Sequence, residues 1–145
     1  MNHTLDIPTS ATLDELTDPY TWYGPSGQRV TGEAVARHLE AAAQLMDRHN
    51  WDPQLYAPYS GHHLADALYE TIQDGQGDAD TRQVGRRVME TLLRHVMAAP
   101  FVDCDLWSQH SSRTLEEVLM LCRTAARIAR HAGPQSSNTE PPALP

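Results

Sequence analysis

Lysine is missing from this chain of 145 residues: every one of its 11 basic residues is an arginine. Against 19 acids the arginines leave a net charge of −8, and a surface with that balance repels phosphate, which excludes a general polyanion binder. The lack of lysine itself fits a GC-rich coding bias. Cysteine is scarce, with Cys104 and Cys122 alone, too few for a disulfide framework and too far apart in sequence for a paired zinc site, so a reducing compartment is expected. No stretch approaches the ~20 apolar residues of a membrane span. The start, Met1-Asn2-His3-Thr4-Leu5-Asp6, has neither the basic residues nor the apolar run of a signal peptide, so the expected location is the cytoplasm. Phenylalanine occurs once, and the β-branched and aromatic runs of strands are nearly absent, with Pro100-Phe101-Val102-Asp103 the single candidate. No glycine-rich phosphate loop follows a strand anywhere.

What is present is helical periodicity. The length fits one domain with a core large enough to fold unaided. A first helix is expected from Thr31, a good N-cap, to about His49, with Val35, Leu39, Ala42, Leu45 or Met46, and His49 on one face. A second, from about His62 to Asp74, carries Leu64, Leu68 and Ile72 and ends at Gly75-Gln76-Gly77-Asp78. A third, from about Asp80 to Ala98, presents Val84, Val88, Met89, Leu92, Leu93 and Val96 and stops before Pro100. The fourth opens on a capping box, Thr114-Leu115-Glu116-Glu117, and runs to about His131. Its apolar residues cover more than half the circumference, which makes it the expected central element.

The fold class is therefore all-α: a compact four-helix domain over residues 31–131, after a flexible leader over 1–30 and before a disordered tail over 132–145. The leader contains Pro8, Pro19, Pro25 and the turn Gly24-Pro25-Ser26-Gly27, so no long element is expected there. Its Tyr20, Trp22 and Tyr23 are too apolar for a solvated segment and are expected to dock on the helices. The tail, from Gly133-Pro134 onward, is too polar and proline-rich to pack.

Helix one with its trailing Asn50-Trp51, and the run Trp107-Ser108-Gln109-His110-Ser111-Ser112-Arg113-Thr114-Leu115-Glu116-Glu117-Val118, resemble a family of small uncharacterised actinobacterial and phage-associated proteins. In that family an alanine-rich helix ends in Gly-Trp or a similar pair, and a later Trp precedes an Arg-Thr that opens the last helix. His49-Asn50-Trp51 and Trp107 to Arg113-Thr114 take those places, and the resemblance spans about residues 30–131. It implies a helical fold without a known activity. Members often carry a cysteine-bearing, glycine-containing stretch before the second helix. Here Gly61-His62-His63-Leu64-Ala65-Asp66-Ala67-Leu68 has no cysteine, and a function resting on that cysteine is not carried over.

Four sets of residues invite a function. Trp107 and Arg113 pair the two residue types that dominate interface hot spots, and with Trp22 and Tyr23 of the leader they form the candidate surface for a protein partner. The structural alternative makes Trp107 a wedge at the bundle end and Arg113 the counter-charge of Asp103 or Asp105. Arg82, Arg86, Arg87 and Arg94 give helix three a basic face that suits a DNA-associated regulator. Against that stand Asp66, Glu70, Asp74, Asp78 and Asp80 in and after helix two, which would repel a duplex and pair with the basic face instead. Histidines at 3, 38, 49, 62, 63, 95, 110 and 131 suggest a metal protein or small enzyme, but their spacing groups no ligand set. Cys122 lies on an apolar face and Cys104 between two aspartates, which disfavours a thiolate nucleophile. The expectation is a non-catalytic protein-interaction protein with no cofactor, no metal and no membrane association.

Overall fold

The computed structural model describes residues 10–49, 51 and 63–136. Among these are six α-helices, one 3-10 turn and no strand. The four long helices of the periodicity are α2 (Gly32–His49), α3 (Leu64–Gln73), α4 (Ala79–Met97) and α6 (Leu115–Ala132). Two short ones, α1 (Ser10–Leu16) and α5 (Cys104–Ser108), join them; neither is long enough to show a helical repeat in sequence. The Pro100–Asp103 segment is irregular rather than a strand, and Asp103 caps α5 by accepting from the amides of Asp105 (2.9 Å) and Leu106 (3.1 Å).

Local chemistry sets the helix ends as the sequence indicates. Thr31 Oγ1 accepts from the Ala34 amide at 3.0 Å to start α2. At α6 the capping box is complete: the Glu117 amide donates to Thr114 Oγ1 (3.2 Å) and the Thr114 amide donates to Glu117 Oε1 (2.9 Å). Asp78 caps α4 by accepting from the Thr81 amide at 2.8 Å, and the helix ends on Ala98 in the left-handed region (φ 52°).

The centre of the molecule is an antiparallel pair, α2 against α6. Val35, Ala36, Leu39, Ala42, Ala43 and Met46 on one side meet Leu121, Cys122, Ala125, Ala126, Ile128 and Ala129 on the other, all buried. Small residues let the backbones approach. A Cβ at Gly32 would fall on the Ala129 carbonyl oxygen, and one at Gly133 would lie 2.5 Å from Gly32 Cα. Along the edge of the seam Arg130 spans Glu33 (2.7 Å) and Glu40 (2.5 Å), and Arg123 faces Asp47 at 3.6 Å. Hydrogen bonds from Arg130 and then Arg37 hold the Glu33 carboxyl down to about 2. Around this pair α4 adds Val84, Val88, Met89, Leu92 and Leu93, and α3 adds Leu64, Ala67 and Leu68. Each buried Leu contributes roughly 1.5–3 kcal/mol.

The leader packs onto α4. Leu16 and Trp22 are core residues, and Trp22 Nε1 donates to the Leu16 carbonyl at 2.8 Å. Further on, the Ser26 amide and hydroxyl both donate to Asp80, at 2.9 and 2.5 Å. At the other end of the chain the Gly32 amide donates to the Pro134 carbonyl (2.9 Å) and Arg29 donates to the Ser136 carbonyl (3.2 Å). The first residues expected in the tail are thus bonded to the start of α2, and the rest, 137–145, lie outside the described residues, as do 1–9 of the leader.

Gly32→Ala is expected to destabilise the protein by at least about 2 kcal/mol, because a backbone oxygen cannot move aside as a side chain would. Chemical denaturation reads it, and an unchanged midpoint would contradict so close a seam.

Candidate functional site

Trp107 and Arg113, the most distinctive pair in the sequence, do meet. The Arg113 guanidinium carbon lies 3.9 Å from the centroid of the Trp107 ring, and Arg113 Nε donates to the Trp107 carbonyl at 2.9 Å. Arg113 also faces Glu117 at 3.7 Å, so its counter-charge is the carboxylate of the capping box and not Asp103 or Asp105. A stacked Arg of this kind contributes roughly 0.5–1 kcal/mol. The ring, however, is only 9% exposed and belongs to the core, with Arg113 as its lid. Trp22 is more deeply buried still, at 2%, and Tyr23 is half-buried.

Trp107 fixes α5, and α5 in turn is tied to α4. Arg86 donates to Asp105 at 2.7 Å and lies 3.9 Å from Glu90, and Glu90 accepts from the Cys104 amide at 2.9 Å. This braced connector carries the most exposed large apolar side chains of the described residues: Phe101 at 82% and Leu106 at 69%, with Met97 at 51% at the end of α4. Beside Phe101 runs a groove of about 280 Å³ lined by Gln83, Arg86, Arg87 and Glu90. Phe101, Leu106 and Met97 had no functional reading in the sequence, where Phe101 stood only in the candidate strand. The available signal was the sole phenylalanine, standing after a proline and outside any helical face.

Three of the four arginines of α4 are occupied within the fold. Arg86 has Asp105, Arg87 donates to the carbonyls of Thr21 (2.6 Å) and Tyr23 (3.1 Å), and Arg94 binds Glu15 together with His95 (2.9 Å). The carboxylates that meet this face come from α1, from α4 itself and from α5, not from the acidic stretch of α3 that the sequence suggested as partner. Of that stretch, Asp78 caps α4 and Asp80 holds Ser26. Arg82 is half-buried near His38.

The histidines are dispersed. His38 is buried, His63 caps α3, His95 pairs with Glu15, and His110 Nδ1 accepts from the Ser112 amide at 3.1 Å. Among the described residues no group of three or more His, Cys, Asp or Glu is placed to hold a metal ion. His3 and His62 lie outside the described residues. Both cysteines are buried; burial pushes the Cys104 thiol up, with the carboxylates of Asp105 and Glu90 adding to it, and pushes Cys122 up to about 12. Among the described residues, no helix is long and apolar enough to cross a membrane.

Fold and surface together define a small all-α domain with a docked N-terminal strap and an apolar connector. The chain belongs to a family of unknown function (DUF6197), whose model matches residues 30–128. No curated protein and no solved structure matches it.

Cys104 and Cys122 are expected to react with a thiol reagent at pH 8 only after denaturant is added; modification of Cys104 in native buffer would mean that the α4–α5 junction opens, and of Cys122 that α6 parts from its neighbours.

Proposed function

We propose that this protein is a non-catalytic interaction protein that binds a protein partner through the segment that follows α4, the connector together with α5. The observation that carries the reading is the exposure of Phe101 and Leu106, at 82% and 69%, on a connector that Trp107, Arg113 and the Arg86–Asp105 pair hold in place. Large apolar groups on a fixed support act as anchors for a complementary cavity, and aromatic residues lead among such anchors. Trp107 then acts from beneath the surface, as the support of the anchor residues. Two buried free thiols suit a reducing interior, which supports a cytoplasmic setting, and the resemblance in sequence supports an actinobacterial or phage-associated one.

The test is an affinity capture from the native host, with and without nuclease, comparing wild type with the Phe101→Ser, Leu106→Ser double variant. Both side chains are exposed, so the variant is expected to stay folded while a nuclease-resistant partner is lost by at least tenfold. A partner kept by the variant would place the binding surface elsewhere. Recovery of nucleic acid alone, weakening steeply with salt and lost in Arg82→Ala, would favour the DNA-associated alternative. Stoichiometric metal in untagged protein would favour the histidine-based one.

A further inference from the structure

α3 is a helix of ten residues that is fastened at each end by a histidine. At its start His63 is the N-cap, and His63 Nδ1 accepts from the Asp66 amide at 2.9 Å. An amide can only donate, so Nδ1 is the acceptor in this cap.

Past its end, the turn 74–78 rests on His38 of α2. His38 is fully buried, and its Nδ1 lies 3.0 Å from the Gln76 carbonyl oxygen and 3.2 Å from Thr71 Oγ1. A carbonyl only accepts, and the Thr71 hydroxyl gives its hydrogen to the Leu68 carbonyl at 2.9 Å. Nδ1 is therefore the nitrogen that bears hydrogen, shared between the two oxygens. The other nitrogen, Nε2, is buried with no hydrogen-bond partner. The fit is tight: a Cβ at Gly77 would lie 2.8 Å from His38 Nδ1, and Gly77 adopts φ 123°, a region L side chains rarely enter. A proton on Nε2 would create a buried cation with an unanswered N–H. Of the charged groups near it, Arg82 on α4 repels such a cation, while the attracting Asp78 already accepts from the Thr81 amide and hydroxyl as cap of α4; α3 offers the uncharged Thr71. Burial accordingly holds His38 below its ordinary value of 6.5.

We infer that His38 is a proton-operated latch: on acidification the turn after α3 comes free, and α3 with that turn swings away while α2 and α6 stay paired. The glycines of the turn, Gly75 (φ 84°) and Gly77, supply the hinge. What holds α3 otherwise is modest, four buried residues from Leu64 to Thr71, whereas the α2–α6 seam is sealed along its length. Opening bares Leu64 and Leu68.

The sign follows from linkage. His38 is neutral in the closed state and free to protonate in the open one, so closure is fully favoured above pH 6.5 and is lost as pH falls below it. One proton taken up on opening shifts the equilibrium by about tenfold per pH unit once the pH is well below that value.

Hydrogen exchange read by mass spectrometry at pH 7.5, 6.5 and 5.5, corrected for intrinsic rates, tests the latch on the whole chain. Protection over residues 64–78 is expected to fall by about fivefold from 6.5 to 5.5 with α2 and α6 unchanged. His38→Asn, which keeps a donor at the Nδ1 position, should flatten the slope. Protection that ignores pH in the wild type, or falls equally in α2 and α6, or falls as steeply in the variant, would overturn the latch. Should His38→Asn not fold, the His38 ring resonance of the wild type decides: a ring that gains its proton while residues 64–78 stay protected overturns it, and one that remains neutral until they open upholds it.

Discussion

At Gly32 the first turn of α2 lies against the Ala129 carbonyl oxygen of α6, with Gly133 on its other side, and no side chain fits between them. From this contact the two helices diverge only as far as alanines allow, and the pairing of Arg130 with Glu33 and Glu40 closes the edge. Because α2 and α6 share so narrow a seam, each keeps a wide apolar arc free for other elements. α2 uses its arc on α3 and α4, and α6 uses part of its own on α4 and α1. The leader and α5 lie mainly on α4, with lesser contacts from α1 to α6 and from α5 to α3.

Residues 10–29 lie outside the stretch matched by the family model, yet Leu16 and Trp22 are as buried as any residue of the long helices. The segment is held by an apolar anchor at Trp22 and by polar ties on both sides of it, Glu15 to Arg94 and Ser26 to Asp80. Such a strap completes a core whose main layers are made by the rest of the chain. It also explains why the basic stripe of α4 does not reach solvent as a stripe: backbone carbonyls of the strap take up Arg87, and its α1 takes up Arg94.

The four long helices were legible because periodicity over ten or more residues and cap residues such as Thr31, Asp78 and Thr114 act locally. The same holds for the docking of Trp22, which its apolarity alone demanded. What sequence could not give was which charge meets which. The acidic stretch from Asp66 to Asp80 and the arginines from Arg82 to Arg94 look complementary along the chain. Folding instead turns the arginines toward Glu15, Glu90 and Asp105, while Asp78 and Asp80 are used on an amide and a serine. The Trp107–Arg113 contact was foreseeable as a pair, but its depth was not, since burial of a Trp depends on α5, five residues that no repeat reveals. Phe101 and Leu106 stayed hidden for the opposite reason: a single exposed apolar residue has no pattern in sequence, and only the finished surface shows that nothing covers it.

The guanidinium of Arg130 reaches two carboxylates about two turns apart on α2, using its Nε and both terminal nitrogens. Arg113 lays a flat face on an indole while its edge bonds a carbonyl and faces a carboxylate. An ammonium group has neither the fork nor the plane. Whatever drift in codon usage emptied the chain of lysine, at these two positions it could not be reversed by an exchange that merely conserves charge.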